Sequence, residues 1–164
     1  MIIGFIVARS IRVEAKASHL MLRRLTATAA TWTTVPLRLV LGIVFIAHGA
    51  QKVFGAFGGP GLRAFSSFPA PLSLRPAWVW MGAAAFAELV GAVLVVLGLF
   101  TRVGAFLIAC VMVTAIAGVH WPNFFANNKG FEYPLALLGI ALALLIAGGG
   151  QASVDRMIGP RRTR

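Results

Sequence analysis

Residues 77–100 read AWVWMGAAAFAELVGAVLVVLGLF and contain a single ionisable side chain, that of Glu88. A helix needs about 20 mostly apolar residues to cross the hydrocarbon of a bilayer. Trp78 and Trp80 stand at the start of the stretch, and tryptophan is typical of the interface between membrane and water. The stretch therefore predicts a transmembrane helix.

Three further stretches are apolar over similar lengths, at about residues 37–54, 103–121 and 133–147. Pro36 precedes the first and suits the first turn of a helix, where its missing N–H costs nothing. Three glycines follow the last, and glycine readily ends helices. Period-2 alternation is absent, and an open sheet cannot span lipid with unpaired edges. The sequence predicts an all-α fold, a four-helix transmembrane bundle.

The composition agrees with a membrane protein. Hydrophobic residues make up 59% of the 164 residues and charged residues 12%, against about 25% charged in soluble domains. A soluble fold this short could not bury so much apolar surface. We predict one membrane domain, residues 36–150, with a basic, partly disordered cytoplasmic extension (residues 1–35) and a basic cytoplasmic tail (residues 151–164).

The distribution of the positive charge predicts the orientation. Eleven of the 15 Lys and Arg residues fall before or at the very start of the first span, in the short connection between spans two and three, or after span four. Basic residues next to helix ends favour the cytoplasmic side, so both termini are expected there. No basic motif is interleaved with aromatic residues, and we expect no nucleic-acid partner despite the net charge of +11.

Two longer connections face the opposite side. Residues 55–77 are rich in Gly and Pro, and residues 62–68 within them are expected to form a short interfacial helix. Residues 123–132 form the second of these two connections. The single cysteine, Cys110, has no partner for a disulfide within this sequence and is interpreted as a small apolar residue. No metal-ligand cluster is expected.

Ionisable residues inside a span are costly, so each needs a physical reason. Glu88 lies halfway along the second span, while His48 and Lys52 share a face of the first span at i and i+4. By helical rise, Glu88 lies roughly 15 Å below the outer surface and His48 roughly 9 Å below it. These three residues are predicted to meet in a polar pocket in the outer half of the bundle and to carry its chemistry.

Other polar residues are predicted to contribute ligand contacts to this pocket: Gln51, His120 and Asn127. The alternative is that the polar residues only tie helices together, since interhelical hydrogen bonds average about 0.6 kcal/mol. A haem held by His48 and His120 fits poorly, because their depths differ by roughly 6 Å on the helical rise.

The chain resembles the DoxX family through motifs spread over residues 36–158. The first span carries RLVLG (residues 38–42) and HGAQK (residues 48–52), and the second carries ELVGA (residues 88–92) and LGLFTR (residues 97–102). Phe57–Gly61, Val119-His120, the three glycines and Ser153–Asp155 complete the match. The resemblance implies a four-helix protein of the bacterial inner membrane. Family members were linked to quinone-dependent thiosulfate oxidation and to a membrane-associated oxidoreductase complex.

The favoured hypothesis is a redox-linked membrane subunit that binds a quinone or a small apolar redox partner in the outer-half pocket. His48 would hydrogen-bond the headgroup, Glu88 would exchange protons, and Lys52 would balance charge. Soluble or membrane oxidoreductase partners would supply electrons. The cofactor and the oligomeric state stay open, a homo-oligomer included. The alternative is a non-enzymatic scaffold or a small transporter.

Overall fold

The computed structural model describes residues 20–159, and the predictions for residues 1–19 and 160–164 lie outside that range. Its helices, in chain order, are α1 (Thr34–Phe54), α2 (Gly61–Ser66), α3 (Ala77–Leu97), α4 (Thr101–Ala115), α5 (Glu132–Ala147) and α6 (Val154–Ile158). The helix α4 continues as a π-helix over Ile116–His120. Residues 20–25 are also helical, and no strand occurs in the described range.

Three of the helices are long and apolar enough to cross a membrane: Thr34–Phe54, Ala77–Leu97 and Thr101–His120. The fourth, α5, is equally apolar but has 16 residues, which cover about 24 Å. Exposed tryptophans lie at both ends of the bundle, with Trp32 at one and Trp78 and Trp121 at the other, as expected for interfacial anchors. The predicted all-α membrane fold is confirmed.

The helices pack in a ring, α1 against α3, α3 against α4 and α4 against α5, and α5 returns to touch α1 less extensively. Their shared core contains Leu41, Phe45, Ala92, Val95, Ala105, Ile108, Ala109, Met112, Leu137, Ala141 and Leu144. Small residues allow close helix contacts, as is usual where lipid offers no hydrophobic driving force. A Cβ built on Gly104 of α4 would lie 2.6 Å from the carbonyl oxygen of Gly91 on α3.

The helix bounds differ from the predictions mostly at the ends. The first helix begins at Thr34 rather than near residue 37, and the second ends at Leu97, before the turn that contains Gly98. The short loop helix covers Gly61–Ser66 instead of residues 62–68. These shifts are of the size expected where a helix frays into a turn.

The predicted extension and tail differ more from what is observed. In the described part of the extension, the Ala29 N–H donates to the Ala147 carbonyl and the Gln151 N–H donates to the Thr31 carbonyl. Thr26 is buried. Residues 20–33 and 148–159 therefore pack on each other and on the end of the bundle. Lipid cannot satisfy the backbone groups at these helix ends, so the flanking segments bond to them instead.

Candidate functional site

The second half of α1 and the middle of α3 bring two charged side chains together. The Lys52 ammonium lies 2.5 Å from each carboxylate oxygen of Glu88. The Glu88 side chain is 3% exposed and that of Lys52 is 23% exposed. Because α1 and α3 are joined by one connection and run in opposite directions, the last turn of α1 lies beside the first half of α3. The long Lys52 stem then carries its charge inward to the carboxylate.

The sequence places both residues on packed faces. Glu88 lies on the buried face of α3 together with Ala85, Ala92 and Val95. Lys52 follows Phe45 by seven residues, or two turns, on α1. A lone carboxylate would lose its hydration at this position without replacement, and pairing with Lys52 removes most of that cost. An apolar pair of similar volume would often be at least as stable as a buried ion pair. Stability alone therefore gives no reason for these two residues.

A short segment after α1 covers the ion pair. The Lys52 Nζ lies 5.2 Å from the centroid of the Phe65 ring, within the range of a cation–π contact. Phe65 belongs to α2, which packs on both α1 and α3. Gly59 lies directly on the α1 backbone, since a Cβ there would come within 2.6 Å of the Gln51 Cα. We call Lys52 and Glu88, with Phe65 lying over them, the covered ion pair.

The structure does not bring His48 to the covered ion pair. Its side chain is exposed on the outside of α1 and forms no hydrogen bond to another described residue. His48 and Lys52 are one turn apart, yet only the Lys52 side chain reaches α3, where it contacts Glu88. The expected convergence of three ionisable residues is reduced to two.

The remaining predicted ligand residues are also separate from the pair. Gln51 is half-buried under Gly59. The His120 Nδ1 lies 2.7 Å from the Lys129 carbonyl oxygen and so anchors the loop between α4 and α5. Asn127 is exposed in the 3-10 turn Ala126–Asn128. Neither His120 nor Asn127 forms a hydrogen bond with Lys52 or Glu88.

Two cavities are prominent in the described chain, and neither is lined by Lys52 or Glu88. One, of about 650 Å³, lies at the end of the bundle that carries the connection between α1 and α3, and it is lined by Ser66, Ser67, Arg75, Pro76, Ala77 and Trp78. The other, of about 1170 Å³, lies at the opposite end of the bundle. Within residues 20–159, no three His, Cys, Asp or Glu side chains are grouped as a metal site would require.

A buried arginine at the opposite end was not anticipated. Arg38 is 5% exposed, and its guanidinium donates to four carbonyl oxygens. The acceptors are the carbonyls of Val95, Val96, Gly149 and Ala152, at 2.6–2.9 Å. It thus caps the end of α3 and ties that end to the segment after α5. The sequence does contain the signal, because Arg38 recurs with Thr34, Leu41 and Phe45 at the spacing of one helix face.

Asp155 completes this polar cluster. Its carboxylate, 1% exposed, accepts hydrogen bonds from the backbone N–H groups of Phe100 and Thr101 and from the Thr101 hydroxyl, at 2.7–2.9 Å. It therefore caps the first turn of α4, where backbone donors have no intrahelical partner. It also holds Phe100 in a left-handed conformation, φ 44°, that non-glycine residues adopt at some cost.

An all-helical bundle with apolar spans and a sheltered ion pair defines a polytopic membrane protein. The DoxX family model matches residues 22–121, and the chain belongs to the DoxX family. The matched range includes Arg38, Lys52 and Glu88.

Curated relatives resemble most of the chain. A Bacillus subtilis protein named "Putative oxidoreductase CatD" is 35% identical over 68% of this chain and 77% of its own length. The Escherichia coli inner membrane protein YphA is 32% identical over 73% of this chain and 85% of its own length. An uncharacterized Haemophilus influenzae protein is 29% identical over the same shares. No solved structure matches the chain significantly.

The family and the three apolar spans place the chain in a membrane. The relative named as an inner membrane protein supports the predicted location in the bacterial inner membrane.

Proposed function

We propose that the chain is a membrane subunit of a redox-linked complex and that the covered ion pair binds the polar headgroup of a quinone or a similar small apolar redox partner. The observation that carries this proposal is the sheltered contact between Lys52 and Glu88 in otherwise apolar helices. Ionisable groups at such depth are by default candidates for function. The relative named as an oxidoreductase adds support from outside the chain.

The chemistry follows from what each group can exchange. The Lys52 ammonium can donate a hydrogen bond to a quinone carbonyl. Glu88, after it takes up a proton from water, can pass that proton to the reduced oxygen. The ring of Phe65 offers a flat apolar surface to the quinone ring. A carboxylate and an ammonium carry no electrons, so an oxidoreductase partner in the membrane or the cytoplasm would supply them. The quinone would enter from the lipid along α1, past the exposed His48.

Binding of short-chain ubiquinone and menaquinone analogues to the purified protein in mild detergent tests this proposal. We expect Lys52→Gln and Glu88→Gln to weaken binding by about tenfold, the effect of losing one hydrogen bond to a charged group. Arg63→Gln, which removes an exposed cation from the same outer loop, is the matched control and should bind as the wild type does. Equal binding by all four proteins would exclude the pair as the quinone site.

A scaffold is the second candidate, and one observation favours it. Both carboxylate oxygens of Glu88 already bond to Lys52, so the pair is complete as a tie between α1 and α3. In a scaffold or a small transporter without redox chemistry, the exposed basic ends would dock partners. The double variant Lys52→Met/Glu88→Leu should then keep the cellular phenotype and the partner complexes, whereas a redox subunit would lose its quinone-dependent activity.

A further inference from the structure

The larger cavity is an open groove at the end of the bundle where α5 ends. It has a volume of about 1170 Å³ and is bounded by residues 26–30, the end of α5 and the short helix α6. Three arginines line it, one from each of three separate segments: Arg23, Arg102 and Arg156. We call this cavity the arginine groove.

Little negative charge offsets these arginines. The described chain contains three carboxylates, and two of them, Glu88 in α3 and Glu132 at the start of α5, lie away from the groove. The third, Asp155, lines the groove, but its oxygens are occupied by the start of α4. Within residues 20–159, the three arginines form no ion pair. The groove therefore presents a net positive surface to an anion.

The carbonyl oxygens at the end of α5, beside the groove, are already bonded. Arg102 donates to the carbonyls of Ala27, Leu145 and Ile146 at 2.8–3.1 Å, and the Ala147 carbonyl accepts from the Ala29 N–H. The orphan carbonyls that normally make a helix end negative are thus satisfied. The arginine charge stays available, and guanidinium groups suit phosphate oxygens in particular.

The rim of the groove is apolar. Ile146 at the end of α5 is 76% exposed and Met157 on α6 is 84% exposed, and both line the groove. Ile158, Met21 and Leu22 are exposed nearby along the chain. A soluble anion would leave these side chains uncovered. An amphiphile would cover them, with its acyl chains along α5 and its phosphate between the arginines.

We propose that the arginine groove binds the headgroup of an anionic phospholipid, with the phosphate held by Arg23, Arg102 and Arg156. The charge, the apolar rim and the position at the end of a spanning helix all fit this ligand. Basic residues at the edge of the hydrocarbon favour anionic lipids. This site is independent of the proposed quinone site, because it lies at the other end of the bundle.

Lipid retention by the full-length protein tests the proposal. The protein is purified from detergent containing equal amounts of phosphatidylglycerol and phosphatidylcholine, and the bound lipids are measured by native mass spectrometry. We expect phosphatidylglycerol to predominate at least fivefold on the wild type. The variant R23Q/R156Q should reduce this preference to below twofold. Both side chains are exposed and form no side-chain hydrogen bond to described residues, so folding should be unaffected.

The control variant R63Q/K129Q removes the same charge from the other end and should retain the preference. Three results would overturn the proposal: equal retention of the two lipids by the wild type, an unchanged preference in R23Q/R156Q, or an equal loss in the control. Glycerol phosphate and a short RNA oligonucleotide are tested as competitors at the same concentration. Displacement of the lipid by either would assign the groove to a soluble phosphate or a nucleic acid instead.

Discussion

The Lys52 ammonium bonds to both carboxylate oxygens of Glu88 across 36 positions of sequence, from the end of α1 to the middle of α3. This ion pair links two of the three long spans. Phe65, from the short helix α2 between these spans, lies against the Lys52 ammonium. Any loss of either residue therefore affects both helix packing and the proposed ligand site, and the two effects must be separated.

Removal of one partner should destabilise the bundle. Glu88→Ala leaves the Lys52 ammonium without its counter-charge, and breaking a buried pair in this way costs about 3 kcal/mol. The double variant Lys52→Met/Glu88→Leu replaces the pair with apolar side chains and should recover most of that loss. The free energy of unfolding of each variant is measured by detergent titration and compared with that of the wild type. A double variant as unstable as Glu88→Ala would contradict this account of the pair.

Arg38 should be more sensitive than any exposed arginine. Arg38→Leu removes a charged donor from four carbonyl oxygens, and those of Val96 and Ala152 lose the only side-chain donor they have. Hydrogen bonds to charged groups contribute about 1.5–3 kcal/mol each. Arg38→Lys should rescue little, since an ammonium lacks the planar fork that reaches all four acceptors. Arg24→Gln, which removes an exposed arginine from the segment before α1, is the control. The midpoint of thermal unfolding should fall for both Arg38 variants and stay constant for the control.

The contact between α3 and α4 should tolerate no side chain at Gly104. In Gly104→Ala the new Cβ meets the Gly91 backbone at 2.6 Å, so the helices must separate. Gly82 on α3 has open space around it, and Gly82→Ala should be neutral or should gain up to about 0.5–1 kcal/mol from helix propensity. Unfolding midpoints distinguish the two. Equal midpoints would mean that the helices are farther apart than described.

Orientation can be tested with single cysteines in a Cys110→Ala background. Asn127→Cys lies in the loop between α4 and α5, and Met157→Cys lies on α6, at opposite ends of the bundle. The basic residues predict the α6 end on the cytoplasmic side. A membrane-impermeant thiol reagent should therefore label Asn127→Cys in spheroplasts and Met157→Cys only in inverted vesicles. The reverse pattern would invert the topology and the location of both proposed sites.

Much of the fold follows from the sequence, because length and apolar content alone define a membrane span. Residues 77–100 needed no partner to be interpreted as a helix. The helix ends were less predictable. The bonds from Arg38 to Gly149 and from Thr101 to Asp155 join residues far apart in sequence. A count of charges along the sequence assigns Arg38 and Asp155 to the polar flanks of the spans, although both side chains are buried.

The candidate site was predicted in part for a similar reason. Lys52 and Glu88 were expected at compatible depths, and the structure brings them together. Depth alone cannot define the rotation of a helix about its axis, and His48 consequently lies outside the contact. The pattern of buried residues indicates that rotation, since Phe45 and Gly49 lie on the buried face of α1.

Covalent mapping of the quinone site is the most direct test of the proposed function. A photoreactive short-chain quinone is added to the protein in membranes, irradiated, and located by peptide mass spectrometry. A quinone site at the ion pair predicts labelling in the last turn of α1, in α2 or in the middle of α3, and unlabelled quinone should compete with this labelling. That labelling should fall by about tenfold in Glu88→Gln and Lys52→Gln at a quinone concentration below the wild-type Kd, and it should be retained in Arg63→Gln. Labelling confined to other helices, or unchanged in the two pair variants, would contradict it.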